Sequence, residues 1–248
     1  MTQKFNLPTE TVELPSKGLL YPKDSPLASG KVEMKYMTAK EEDILTNMNY
    51  IKQGVVIDKL LESLIVTKIN YGELLVADKE AIMIAARILS YGKDYPISVY
   101  GQEQVVDLTS IQNKELDESL YTKGINEFEF VLPHTKNTIT FKLLTHADEQ
   151  AIDQEVKGLQ KLNKDNIAES TTKLKRMITS VNGLREVKDV REFVDTYLLA
   201  KDARALREYY QKVNPSMDLK IQVSNVDGGE EAIDLPIGID FFWPDAKY

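Results

Sequence analysis

Residues 78–108 read DKEAIMIAARILSYGKDYPISVYGQEQVVDL, and the fold turns on a change of period inside them. From Asp78 to Tyr91 the apolar side chains recur at helical spacing, with Asp78 as a capping residue and Gly92 as the stop. Ala81 to Leu89 is apolar nearly all round except at Arg87, which predicts a central helix in which Arg87 either snorkels or pairs with a carboxylate. Beyond Gly92 the period drops to two, and YPISVY and QVVDL alternate as half-buried strands do. A helix that hands over to short antiparallel strands predicts the α+β class.

Working outward toward the N-terminus, VVIDKLLESLIV (55–66) places Val56, Leu60, Leu61 and Leu64 on one helical face. Before it, KVEMKYM alternates Val32, Met34 and Tyr36 against charged neighbours as a strand, and Thr38 with Glu41 forms a capping-box pattern. Residues 1–30 carry Pro8, Pro15, Pro22 and Pro26 and show neither period, which predicts an extended arm, laid along a partner or strapped to the chain's own surface.

Toward the C-terminus, EFEFVL and TITFKLL flank PHTKN as a hairpin and complete a small antiparallel β module over 95–145. Thr145 and Asp148 imitate a capping box, after which Ile152, Val156, Leu159 and Leu162 form a helical stripe. Leu174, Ile178 and Val181 continue it in a second helix, a third holds Val190, Phe193, Val194 and Tyr197, and a fourth runs from Asp202 to Pro215. These predict a helical bundle over 146–215. Residues 216–248 read as a hairpin, with Leu219, Ile221 and Val223 facing Ile233 and Leu235 across a DGG turn, followed by the aromatic tail FFWP. The expected architecture is a mainly helical body over 31–94 and 146–215 with an embedded β module and a C-terminal hairpin.

The 248 residues include 39 acidic and 31 basic side chains, interleaved along the chain, for a formal charge of -8. That balance repels a phosphate backbone, so no nucleic-acid partner is expected. With no cysteine, disulfides, thiolate metal sites and thiol nucleophiles are excluded, and two histidines leave little for an imidazole site. No apolar run is long enough for a bilayer, which predicts a soluble, intracellular protein with no membrane partner.

Searched for chemistry, the chain offers little. It has no GxxxxGK[ST] or GxGxxG phosphate cradle, and neither Ser16 nor Ser90 sits in a GxSxG elbow. His146 and Glu149 are spaced like some metal ligands, but they lie at a helix start where acids favour the dipole, and His134 reads as a turn residue. Glu41, Glu42 and Asp43, and Glu230 with Glu231, read as solvated acids that would serve acid–base work only inside a cleft. No catalytic, cofactor-binding or metal residue is assigned, no cofactor is expected, and the protein is not expected to be an enzyme. The three aromatics of FFWP cannot share one side of a strand, so the tail either plugs the chain's own core or leaves a ring for a partner.

The segments ELPSKGLLYP, KVEMKYMTAKEEDIL, AARILSYGKDY, THADE, KDARALREYY and LPIGIDFFWP, in this order, resemble the baseplate hub protein family of T-even-like contractile-tailed bacteriophages. The resemblance spans nearly the whole chain and rests on joint order and spacing, each motif being short. It implies a structural or assembly protein of the tail baseplate: a hub subunit that docks to other baseplate and tail proteins, or a transient assembly chaperone absent from the virion. It further implies action in the host cytoplasm while the tail is built, and leaves room for a homo-oligomer within the hub. The expected partner anchors are Leu14, Leu19, Leu20 and Tyr21 in the arm and Phe241, Phe242 and Trp243 in the tail. The family pattern includes a Cys-x-x-Cys-Gly near the C-terminal hairpin, like half a zinc ribbon, where this chain reads Ser224, Asn225, Val226, Asp227, Gly228. A degenerate, metal-free hairpin is therefore expected, held by Val223, Ile233, Leu235 and the tail aromatics.

Overall fold

A computed structural model describes residues 7–162, 168–225 and 229–242, and these contain eight α-helices and four small antiparallel sheets around one continuous apolar core, an α+β fold. Among the described residues no helix is long and apolar enough to cross a membrane.

The first sheet corrects the expected arm. Strand β1 (Thr9–Glu13) pairs with β2 (Lys31–Lys35), Val12 opposite Val32, and the ladder is extended by Leu14 N donating to Gly30 O at 2.8 Å. The connection from 14 to 30 folds back over the core and buries Leu14, Leu20, Tyr21 and Leu27. Strand β1 is solvated on both faces except at Val12, so its pairing leaves no alternation to read. Helices α1 (Ala39–Leu45), α2 (Met48–Gln53) and α3 (Val56–Leu64) follow. The Thr38–Glu41 capping box is formed, with Thr38 N donating to Glu41 Oε2 at 3.0 Å, and α3 buries the predicted Val56, Leu60, Leu61 and Leu64. Burial alone would raise the Glu41 carboxyl, yet bonds from Lys35, Thr38 and Ser63 hold it at about 2.

Helix α4 (Val76–Tyr91) begins two residues before its expected cap. Its first turn is ordered by tertiary bonds, Val76 N to Leu144 O (3.0 Å) and His146 N to Leu74 O (2.8 Å), so Asp78 is released from capping and turns into the core. The predicted single β module is two separate sheets. Strands β3 (Asp94–Val99) and β4 (Gln102–Asp107) form a two-residue hairpin, with Tyr100 and Gly101 at φ 53° and 77° as such tight turns require. Strands β5 (Phe128–Val131) and β6 (Thr138–Phe141) pair as predicted and take a third strand from beyond the next helices.

Helix α5 (His146–Leu162) keeps Ile152, Val156 and Leu159 half-buried while Leu162 is 86% exposed, so its far end leaves the core. Helix α6 (Glu169–Met177) stops where a longer helix was expected, and Ile178–Val181 forms β7 against β6. Ile178, Thr179 and Val181 are β-branched, and the Thr140 hydroxyl meets those of Thr179 and Ser180 at 2.7 Å each, which favours the strand over another helical turn. Helix α7 (Val187–Glu192) runs into a π-helical turn (Phe193–Tyr197), and α8 (Ala200–Val213) completes this region, which is an α/β mixture and no simple bundle.

Strands β8 (Lys220–Ser224) and β9 (Glu230–Asp234) form the predicted C-terminal hairpin, Ile221 opposite Ile233. Two side chains hang it on the β3–β4 hairpin: Gln104 Nε2 donates to Ser224 O (2.8 Å) and Ser224 N donates to Gln104 Oε1 (2.7 Å), an amide standing in for a backbone rung, and Tyr100 Oη donates to Glu231 Oε2 (2.8 Å).

Candidate functional site

The N-terminal anchors are held by a buried carboxylate. Asp78 is fully buried and accepts from Ser16 N (2.9 Å), Ser16 Oγ (2.7 Å) and Tyr21 Oη (2.6 Å), while Leu75 N donates to Tyr21 Oη at 2.9 Å. Burial pushes the Asp78 carboxyl up, against the bonds from Tyr21 and Ser16. Burial, reinforced by Asp78, likewise keeps the Tyr21 phenol neutral. Leu14, Leu20 and Tyr21 therefore lie inside the chain's own core, and Leu19 is half-buried. A partner would reach the three buried anchors only by lifting the 14–30 segment.

The tail anchors are similarly placed. Phe241 and Phe242 are fully buried, edge to face with each other at 5.5 Å, and Phe241 meets Tyr95 at 5.0 Å. Of the two readings left open for the tail, these rings follow the plug; Trp243 lies outside the described residues. Arg87, 1% exposed, does not snorkel, and among the described residues it pairs with no carboxylate. It donates Nε to Phe241 O (3.0 Å) and Nη1 to Gly92 O (3.2 Å), with its guanidinium over the Tyr91 and Tyr95 rings.

A cleft of about 800 Å³ opens between α3, α4, α5, α6 and α8, and at its floor are charged groups that sequence spacing does not bring together. Lys79 Nζ lies 3.1 Å from Asp58 Oδ1, 3.2 Å from Glu149 Oε2 and 3.3 Å from His146 Nδ1. Tyr71 donates to Asp58 at 3.1 Å and stacks edge-on against the His146 ring at 4.6 Å. His146 and then Lys79 hold the Glu149 carboxyl below its usual range against burial, whereas burial raises that of Glu80 on the same wall. The Lys79 ammonium fills the space between the two carboxylates, and among the described residues no group of three or more histidines and acids is placed to hold a metal ion. The arrangement sets one ammonium between two carboxylates beside an imidazole. His146 and Glu149 carried the only sequence signal for it, their three-residue spacing; Asp58, Tyr71 and Lys79 carried none.

The C-terminal hairpin contains Val223 and Leu235 buried and Ile233 half-buried. Its end is closed by Asn225 N donating to Gly229 O and Gly229 N donating to Asn225 Oδ1, both at 2.8 Å. Ser224 and Asn225 are hard, neutral oxygen and amide groups in a chain without cysteine, and among the described residues no group of three histidines or acids stands ready for a metal ion, so they do not fit a zinc ion.

Compared with known proteins, residues 8–243 match the family described as T4 bacteriophage base plate protein. No curated protein and no solved structure matches the chain.

Proposed function

The chain belongs to the T4 bacteriophage base plate protein family, with a structural or assembly role in the phage baseplate, and from that premise we propose that it is a non-enzymatic hub subunit docking to other baseplate proteins. The observation that carries this reading is the extent of the match, 8–243, which takes in the folded-back N-terminal segment and the Phe241–Phe242 plug as well as the body. A subunit whose 14–30 segment and Phe241–Phe242 pair are already packed on its own core loses less conformational entropy on docking. The proposal includes assembly in the host cytoplasm, with neither nucleic acid nor membrane as partner. It assigns Leu14, Leu20, Tyr21, Phe241 and Phe242 the task of holding that surface from beneath, with Leu19 at its edge.

The test is quantitative mass spectrometry of this chain in purified virions against infected-cell lysate. Several copies per particle support the built-in subunit. Abundance in lysate with absence from particles overturns it in favour of a transient assembly chaperone.

A further inference from the structure

On the face of α5 opposite the large cleft, a second groove of about 340 Å³ runs between α5, α6, β7 and α7. Its lining contains Lys142, Lys175, Arg176, Arg185 and Arg191 but a single acid, Glu155, in a protein whose overall charge is -8. The bases are partly committed: Asp148 is shared by Lys142 (2.8 Å) and Arg176 Nε (2.7 Å), Lys175 meets Asp195 (2.7 Å), Arg185 meets Glu127 (2.8 Å) and Arg191 Nη2 meets Glu155 (2.8 Å). Five cations thus face four carboxylates. Arg176 binds through Nε alone and Arg191 through one terminal nitrogen, so the other guanidinium nitrogens of both have no partner among the described residues. Those side chains remain 47% and 48% exposed. Between them the floor is apolar: Ile178 and Val190 are buried, Ile152 is half-buried, and Val187 is 70% exposed at the lip.

Forked donors around an aliphatic floor select carboxylates that arrive beside an apolar side chain. We infer that this groove is a docking site for a short acidic segment of a partner protein, with carboxylates taken by Arg176 and Arg191 and an aliphatic side chain seated against Val187, Val190 and Ile178. The volume accommodates a few side chains. A nucleic-acid strand fits less well, because its dense charge would meet the negative field of the rest of the molecule beyond the groove. The inference adds a partner chemistry to the baseplate role, and a test in solution needs no baseplate, so its failure would remove this surface and leave that role standing.

The probe is a short fluorescein-labelled peptide of alternating Leu and Glu, titrated with the full chain and followed by fluorescence anisotropy. Saturable binding that weakens with salt is expected, about tenfold weaker for Arg191→Gln, which breaks only a half-exposed pair. Arg176→Gln should weaken it similarly; because this variant also uncovers Asp148, circular dichroism must first show it folded. Arg191→Glu should reverse the preference, toward the same peptide with Lys for Glu. Absence of binding, equal binding of the Lys peptide to the unmodified chain, tighter binding of a labelled single-stranded oligonucleotide, or an Arg191→Gln variant that binds undiminished would each overturn the proposal.

Discussion

Arg87 and Phe241 are 154 positions apart, and the guanidinium Nε of the first donates to the carbonyl of the second at 3.0 Å, both residues being buried. The most buried cation among the described residues is thus satisfied by two main-chain carbonyls and two aromatic faces, and α4 is joined to the closing segment by a bond that either residue alone would leave unmade.

Arg87→Met keeps the aliphatic volume but strands the carbonyls of Phe241 and Gly92. A loss of about 2–4 kcal/mol is expected in urea unfolding, with protease cleavage near the tail preceding global unfolding. Arg87→Lys should recover only part of it, since an ammonium lacks the fork that reaches both carbonyls. Wild-type stability in the Met variant would refute the assigned role.

Asp78→Ala removes the acceptor for three donors of Ser16 and Tyr21, and a cost of about 3 kcal/mol or more is expected. Asp78→Asn keeps one acceptor oxygen in a side chain of the same shape and should cost clearly less. Denaturant midpoints of the two variants decide the matter, and equal losses would mean that packing alone holds the segment.

The pH dependence has opposite signs at two buried acids. Burial would raise the Asp148 carboxyl, but Lys142, Thr145 and Arg176 hold it below its usual range. Its folded pKa lies under its unfolded one, so its contribution is present above the ordinary carboxylate range and lost as pH falls through the lowered value. Asp78, raised by burial, is the reverse: its ionised form is penalised in the folded state, and the penalty is relieved as pH falls through the raised value. In thermal melts at pH 7 and pH 3, Asp148→Asn should therefore shrink the loss of Tm on acidification and Asp78→Asn should enlarge it.

Gly18→Ala tests the fit of the N-terminal segment. The backbone there has φ +76°, and an added Cβ would lie 2.5 Å from Ala28 O and 2.6 Å from Gly30 N. At least about 2 kcal/mol of destabilisation is expected. Gly183→Ala shares the left-handed backbone, φ +83°, but meets open space, so about 1 kcal/mol should suffice. Calorimetry of the two variants separates backbone strain from steric conflict.

Local physics was legible wherever a residue's neighbours in sequence are also its neighbours in space. The Thr38–Glu41 and Thr145–Asp148 boxes, the buried face of α3, the β5–β6 pair and the C-terminal hairpin follow from capping, a 3.6 period and alternation, and the structure contains each of them. The order of short motifs also carried the family resemblance, since order along the chain survives whatever the fold does. What the tertiary structure alone decided is where long-range partners override local preference. Asp78 left its capping position because Leu144 and Leu74 carbonyls ordered that turn, Ile178–Val181 became a strand because β6 offered an edge, and the arm and tail were drawn inside by Asp78 and Arg87. The groove of five bases arises the same way, from residues spread between 142 and 191 that no period connects. A buried donor or acceptor must find its partner somewhere in the molecule, and the sequence names the group that needs one without saying which distant segment supplies it.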